Sequence, residues 1–350
     1  MAVEANQQAF TVALTADFVL PDGSSRFPSL DLGSLAEHRG IRLETFREHR
    51  PEIGADQVAE AQGVIVLTPK VTAQSLANSE RLLAIGRFGV GYDAVDVEAC
   101  TNADVAVFIT TGAVDRSVAE ATITWMLALT HHVLPKDRLV REGRWDDRSG
   151  WMGCELRDRT LGIVGLGGIG RALVTLVKSF GMSRPLAFDP LLSVDAAESV
   201  GVKLVSLDEL MATADFVSIH CPLNSQTRNL IDARALSRMK SSAYLINTAR
   251  GGIVDEDALF DVLAERRIAG AAIDCFVEEP ITSPHRFGQL ENVVLAPHCI
   301  SWTEELFRDI GRAACQGMID LAEGRKPRGV VNPQVFDRAT FEKKWARLRP

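Results

Sequence analysis

The chain has 350 residues, more than a single hydrophobic core usually serves, so two domains are expected. Apolar residues make up 46% and charged residues 24%, an ordinary balance for a globular protein; a formal charge of -8 gives no electrostatic reason to bind nucleic acid or anionic lipid. No apolar run approaches the roughly 20 residues of a membrane helix, and residues 1–10 carry no basic cluster ahead of an apolar core, so a cytoplasmic protein without membrane contact is expected.

In chain order, short apolar runs alternate with helical patterns, which is the signature of parallel sheets with crossover helices. The first set of expected strands is 11–14, 42–46, 64–67, 82–85 and 105–109. The second is 160–164, 186–188, 216–219, 243–246, 270–273 and 293–295. They read as two open sheets, each buried on both faces. Between the sets, residues 117–134 form a helical segment that is apolar on more than one side, with Val118, Ala121, Ile123, Trp125, Met126, Leu127 and Leu129. Such a helix points to an interdomain or dimer contact, although a deep core helix has the same pattern. The basic stretch after Pro333 reads equally as surface helix or disordered tail. The six cysteines (Cys100, Cys154, Cys221, Cys275, Cys299, Cys315) show no C-x-x-C pair and no zinc-like spacing, so no metal site is expected. They read as small buried side chains in a reducing compartment, with Cys299, beside a histidine, the one candidate reactive thiol.

The strongest local motif is Leu161-Gly-Ile-Val-Gly165-Leu-Gly167-Gly168-Ile169-Gly170. A lone G-x-G-x-x-G is weak, but here a buried strand precedes it, and Ile169, Ala172, Leu173, Leu176, Val177 and Phe180 follow at helical spacing. Gly165 permits a tight turn, Gly167 lets a pyrophosphate approach the backbone, and Gly170 lets helix and strand pack closely. The helix N-terminus offers unpaired N–H groups and a positive dipole end. Asp189 ends the next strand about 24 positions after Gly165, close to the roughly 20 expected of an acid that binds a ribose 2′-hydroxyl. A carboxylate there repels a 2′-phosphate, so the expected cofactor is NAD, with NADH preferred over NADPH.

Three further residues follow three successive expected strands: Arg250, Glu279 and His298. Ligands of open parallel sheets sit beyond the carboxyl ends of the strands, so these side chains are placed to converge. Reduction of a ketone by hydride needs a proton donor for the alkoxide and a cation for a neighbouring carboxylate, which a histidine and an arginine supply. A carboxylate beside the histidine fixes its tautomer and favours its protonated form. Singly, each has a plainer explanation as a surface ion pair, a core histidine or a loop acid.

These residues also carry a resemblance. The stretch from about residue 64 to 333 resembles the D-isomer-specific 2-hydroxyacid dehydrogenases. The likeness rests on Gly86-Arg-Phe-Gly-Val-Gly-Tyr-Asp93-Ala-Val-Asp96, Ser117-Val-Ala-Glu120, the glycine motif with Asp189, Asn247-Thr-Ala-Arg-Gly-Gly252, Ile273-Asp274, Glu278-Glu-Pro280 and Ala296-Pro-His298. It implies an α/β fold of two Rossmann- or flavodoxin-like doubly wound parallel-sheet domains with an interdomain cleft. The substrate domain is expected to be discontinuous, 1–111 plus 299–335, around an NAD-binding domain 112–298, with 336–350 as a C-terminal tail.

The resemblance further implies an NAD-dependent oxidoreductase acting on a small 2-hydroxy or 2-keto acid. Arg250, Glu279 and His298 are its expected catalytic residues. Gly165, Gly167, Gly168, Ile169, Gly170, Asp189, Cys221, Pro222, Thr248, Arg250, Asp274 and His298 are expected at the cofactor. Val90, Gly91, Arg250 and Trp302 are expected at the substrate, and a homodimer is the expected assembly. Formate dehydrogenases of the family carry glutamine in place of the glutamate, so Glu279 speaks against formate. Thr111 and Ala121 depart from the family's usual proline and histidine, and residues 64–71 lack the arginine that phosphoglycerate dehydrogenases place there. The rival reading is an NAD(H)-sensing corepressor of the same fold, which keeps the three residues and differs in turning over no keto acid. A methyltransferase using the same glycine turn leaves Arg250, Glu279 and His298 unexplained.

Overall fold

A computed structural model describes residues 9–349; residues 1–8 and 350, on which the reading of the N-terminus and the outer ends of the expected domains partly rest, lie outside the described residues. The chain divides into two compact units, one formed by the residues up to Val114 together with those from Thr303 onward, the other by Asp115–Trp302.

The first unit is built on five parallel strands, β1 (Phe10–Leu14), β2 (Ile41–Thr45), β3 (Gly63–Val66), β4 (Ala84–Arg87) and β5 (Ala106–Ile109). Their order is β2-β1-β3-β4-β5, the doubly wound arrangement in which the chain reverses direction across the sheet between β1 and β3. Strands β1 and β3 are fully buried, as their continuous apolar runs require. β2 departs from the expectation of burial on both faces: only Ile41 of its five residues is buried. It is an edge strand, and Arg42 and Glu44 pair on its open side.

The basic C-terminal stretch is not a loose tail. The helix Ala339–Leu348 packs into this unit through fully buried Phe341. The Trp345 indole donates to Leu321 O at 2.8 Å, and Lys344 Nζ donates to the carbonyls of Ala103 and Asp104 at 3.1 and 3.0 Å.

The second unit holds seven parallel strands, β6 (Leu161–Val164), β7 (Leu186–Phe188), β8 (Lys203–Leu204), β9 (Phe216–Ile219), β10 (Tyr244–Asn247), β11 (Gly270–Ile273) and β12 (Val293–Leu295). The order β12-β11-β10-β9-β6-β7-β8 puts the topological switch between β6 and β9. β8 was not expected; its two residues are too few to register as an apolar run.

The greasy helix runs over Asp115–Thr130 and stops short of Leu134, because His132 takes a left-handed conformation at φ 50° before a second helix, Val133–Arg141. Its burial corrects the interface expectation. Ala119, Trp125, Met126 and Leu129 sit in one cluster with Leu161, Ile163, Leu173, Val174 and Val177. The helix is largely a core element of its own unit, and Ile123 and Leu127 are only partly buried.

Candidate active site

Two corners of the seven-stranded sheet gather the residues singled out in the sequence. Both lie at the carboxyl ends of its strands, where an open α/β sheet receives ligands.

The first corner follows β6, β7 and β9, at the switch point. Gly165 turns the chain at φ 94°, and a Cβ there would stand 2.8 Å from the Cys221 nitrogen, so the turn is built against the His220–Cys221 backbone and admits no side chain. Gly170 opposes the carbonyl of Gly165 in the same way, its Cβ falling 2.8 Å from that oxygen. Gly167, the residue before the helix Gly168–Val177, has open space where its side chain would be, which is the clearance a pyrophosphate needs. Ile169 lies in the first turn of that helix.

The Asp189 carboxylate holds the turn, accepting the Leu166 N–H at 2.9 Å on one oxygen and the Leu191 N–H at 3.0 Å on the other. Each oxygen keeps a lone pair for a ribose hydroxyl. Burial pushes the Cys221 thiol up to about 11, so it is a filler of this corner and no nucleophile. The His220 imidazole is likewise pushed by burial down to about 4 and is neutral. Its Nε2 pairs with Ser218 Oγ at 2.8 Å.

The second corner follows β10, β11 and β12. Asn247 ends β10 and braces the next turn, its amide donating to Arg250 O at 2.8 Å while its carbonyl accepts the Ala249 N–H at 3.0 Å. Gly251 must be glycine, because a Cβ there would collide with the Phe276–Val277 backbone; the turns after β10 and β11 touch at this point. Glu279 closes the turn after β11. One carboxylate oxygen accepts the Phe276 N–H at 2.8 Å, and the other faces His298 Nδ1 at 2.7 Å.

Burial works to raise the Glu279 carboxyl, but the hydrogen bond and charge of His298, the Phe276 N–H and the charge of Arg250 outweigh it and leave the group below its ordinary range. Glu279 is therefore ionised near neutrality and accepts from Nδ1–H. That assigns the tautomer from the partner and leaves Nε2 as the ring nitrogen that Glu279 does not engage.

His298 is aimed by its backbone. It sits in the left-handed region at φ 54°, and its N–H donates to Asp274 O at 2.8 Å. The Asp274 side chain, 2% exposed, takes the Cys299 N–H at 2.9 Å and the Ile300 N–H at 3.3 Å. Burial raises the Asp274 carboxyl above its ordinary value, although those N–H groups and His298 oppose the shift. Asp274 is thus a brace of the histidine turn as well as an expected cofactor contact.

Whether NAD fits is tested by what the protein leaves unpaired. The Thr248 hydroxyl and His220 Nδ1, at the ends of neighbouring strands β10 and β9, are buried without a hydrogen-bond partner among the described residues. Such orphans are costly unless a ligand or water satisfies them. With the clearance at Gly167 and the open helix N-terminus, the residues present fit a dinucleotide.

Val90 and Gly91 follow β4 of the first unit, in a half-exposed loop pinned by reciprocal bonds between Gly89 and Thr110 at 3.0 and 3.1 Å. Trp302 is 54% exposed, in the turn after His298.

Two residues escaped the sequence reading. Asp115, 53 positions before Gly168 in the chain, packs its carboxylate into the space a side chain at Gly168 would take, and burial raises it above the ordinary carboxylate range. Cys275 lies beside the Glu279–His298 pair. Only the glycine at position 168 hinted at the first, and an apolar-looking strand end hid the second.

Fold and corners together define a dinucleotide-binding α/β protein with a histidine held by a carboxylate at the strand ends. Residues 123–299 match the family model described as D-isomer specific 2-hydroxyacid dehydrogenase, NAD binding domain. The chain is 34% identical over 317 residues to a glyoxylate reductase of Korarchaeum cryptofilum, covering 88% of this chain and 94% of that one. It is 35% identical over 287 residues to a D-3-phosphoglycerate dehydrogenase of Archaeoglobus fulgidus, covering 82% of this chain and 54% of the relative, so it spans about half that relative's length. A D-lactate dehydrogenase of Aquifex aeolicus, solved with NAD and lactic acid, aligns at a TM-score of 0.76 with 25% identity, covering 89% of this chain and 96% of that one. The chain belongs to the D-isomer specific 2-hydroxyacid dehydrogenases, a family of NAD-dependent oxidoreductases.

Proposed function

We propose that this chain reduces a small 2-keto acid of the glyoxylate or hydroxypyruvate type to the 2-hydroxy acid, and that it prefers NADH over NADPH. The observation that carries the reading is the 2.7 Å contact between His298 Nδ1 and the ionised Glu279, with the charge of Arg250 acting on the same carboxylate.

NADH supplies the hydride when bound; the other steps belong to the protein. The glycine turn and the N-terminus of the helix Gly168–Val177 hold the pyrophosphate, and Asp189 takes the ribose hydroxyls and repels a 2′-phosphate. Cys221, Pro222, Thr248 and Asp274 line the way to the nicotinamide end. Arg250 binds and orients the keto acid, and Val90 and Gly91 are assigned to substrate binding from the resemblance. Protonated His298 gives its Nε2 proton to the carbonyl oxygen as the carbon becomes tetrahedral, and Glu279 stabilises the imidazolium beforehand. The ketone gains one hydride and one proton, and the imidazole is left neutral. Trp302 bounds the substrate side chain.

A homodimer is part of the reading. Val133, Leu134, Val140, Trp145 and Met152 stand exposed along one stretch of chain, apolar side chains that a second copy would cover. Light scattering on Trp145→Glu reads this directly: a smaller particle than wild type is expected.

The deciding measurement is oxidation of NADH and NADPH in parallel against glyoxylate, hydroxypyruvate, pyruvate and bulkier keto acids. Turnover of a small keto acid with NADH is expected; NADH binding without turnover of any member would leave the corepressor reading standing instead. Trp302→Ala should shift selectivity toward the bulkier acids.

A further inference from the structure

The proton-donating pair has a third neighbour that the reaction does not use. Cys275, on the turn after β11, brings its sulfur together with ligand atoms of Glu279 and His298, all three lying within 4.8 Å of one another. The residue is 1% exposed, whereas Glu279 and His298 are exposed, so an ion has access from the imidazole side. The thiol donates to Ala249 O at 3.3 Å, a weak bond that costs little to release. Sulfur, imidazole nitrogen and a carboxylate oxygen are the donors of a borderline cation; Mg2+ and Ca2+ take oxygen sets of higher number. A tetrahedral Zn2+ with bonds of about 2.0–2.3 Å sets its donors roughly 3.5 Å apart, so this trio needs to close by only about an ångström.

We propose that Cys275, Glu279 and His298 bind a borderline divalent cation, Zn2+ above all, and that the bound ion switches the histidine off. The thiol releases its proton to solvent, and the ligating imidazole nitrogen gives up its hydrogen to solvent or to the other ring nitrogen; thiolate, carboxylate and that nitrogen then each donate a lone pair, and nothing is oxidised or reduced. An imidazole held this way no longer passes between its protonated and neutral forms, so it cannot supply a proton. The ion takes no part in hydride transfer and acts as an inhibitor. The inhibition rests on the reaction proposed above, while the binding does not.

The test uses the full chain. Zn2+ affinity is measured by competition with a chromogenic chelator, and Cd2+ is titrated while the ultraviolet thiolate-to-metal band is followed. Tight binding with a thiolate band is expected in the wild type, and Cys275→Ala should lose the band and weaken affinity about tenfold or more. Cys275→Val, which fills the volume, repeats the test should the alanine variant be unstable. Unchanged affinity and band in either folded variant overturns the proposal, as does a wild type that binds neither ion. In the keto-acid assay, Zn2+ should inhibit the wild type, a chelator should restore it, and Cys275→Val should keep basal turnover and resist the ion. If no keto acid is turned over, the chelator competition and the Cd2+ band still decide the site, so the two failures are told apart.

Discussion

The two corners of the seven-stranded sheet use opposite materials. At the switch point the working surface is backbone: Gly165, Gly167 and Gly170 serve by lacking side chains, and Asp189 ties the turn through two N–H groups. After β10 to β12 the proposed working surface is side chain: the Arg250 guanidinium, and a carboxylate and an imidazole held by braced turns. The first corner is therefore broken by adding atoms, the second by taking them away. That difference also separates binding from chemistry, because a dinucleotide can be held by N–H groups alone whereas proton transfer needs a titratable group.

Removing the imidazole should give the largest effect. His298→Asn keeps a polar side chain but loses the proton donor, and turnover with the best keto acid should fall about a hundred- to ten-thousandfold. NADH affinity, read by fluorescence titration, should stay within a few-fold of wild type; normal turnover in this variant would remove His298 from the mechanism.

Adding one methyl group at the other corner comes next. Gly165→Ala forces a Cβ onto the Cys221 backbone at a φ of 94°. The strain should cost about 1–3 kcal/mol of stability, and the rise in melting temperature that NADH gives the wild type should vanish. A wild-type shift in the alanine variant would mean that the nucleotide binds elsewhere.

The smallest effect is on stability against pH. His220 is neutral when folded, with its pKa at about 4 against an ordinary 6.5. The unfolded chain therefore binds a proton that the folded chain refuses, and this histidine withdraws stability as pH falls from about 6.5 toward 4. His220→Gln keeps a partner for Ser218 and should lose about 2 kcal/mol less than wild type in urea unfolding between pH 7 and pH 5. Equal losses would show that the imidazole is solvated rather than buried.

Backbone-built features were the more legible in sequence. A strand, a glycine spacing and a helical period are local patterns, so the turn at 165–170 and Asp189 stood out, and most strands fell within a residue or two of their positions. Arg250, Glu279 and His298 were legible only jointly, as three residues each following a strand. The discontinuous course of the first unit was not readable from chain order and came from the resemblance alone. The helix Asp115–Thr130 was misjudged because apolar breadth does not say whether the covering surface is a partner or the chain's own sheet and helices. Its neighbours Leu161 and Val174 are remote in sequence, and only the folded chain brings them to Trp125 and Met126.

Asp115 and Gly168 occupy one volume between them. Any side chain introduced at position 168 meets a half-buried carboxylate, which has to turn aside or be shortened to admit it. Residues in such contact couple, so the effects of substitutions at 115 and 168 are expected to be non-additive. Engineering of the phosphate-binding turn has to treat them as a single locus.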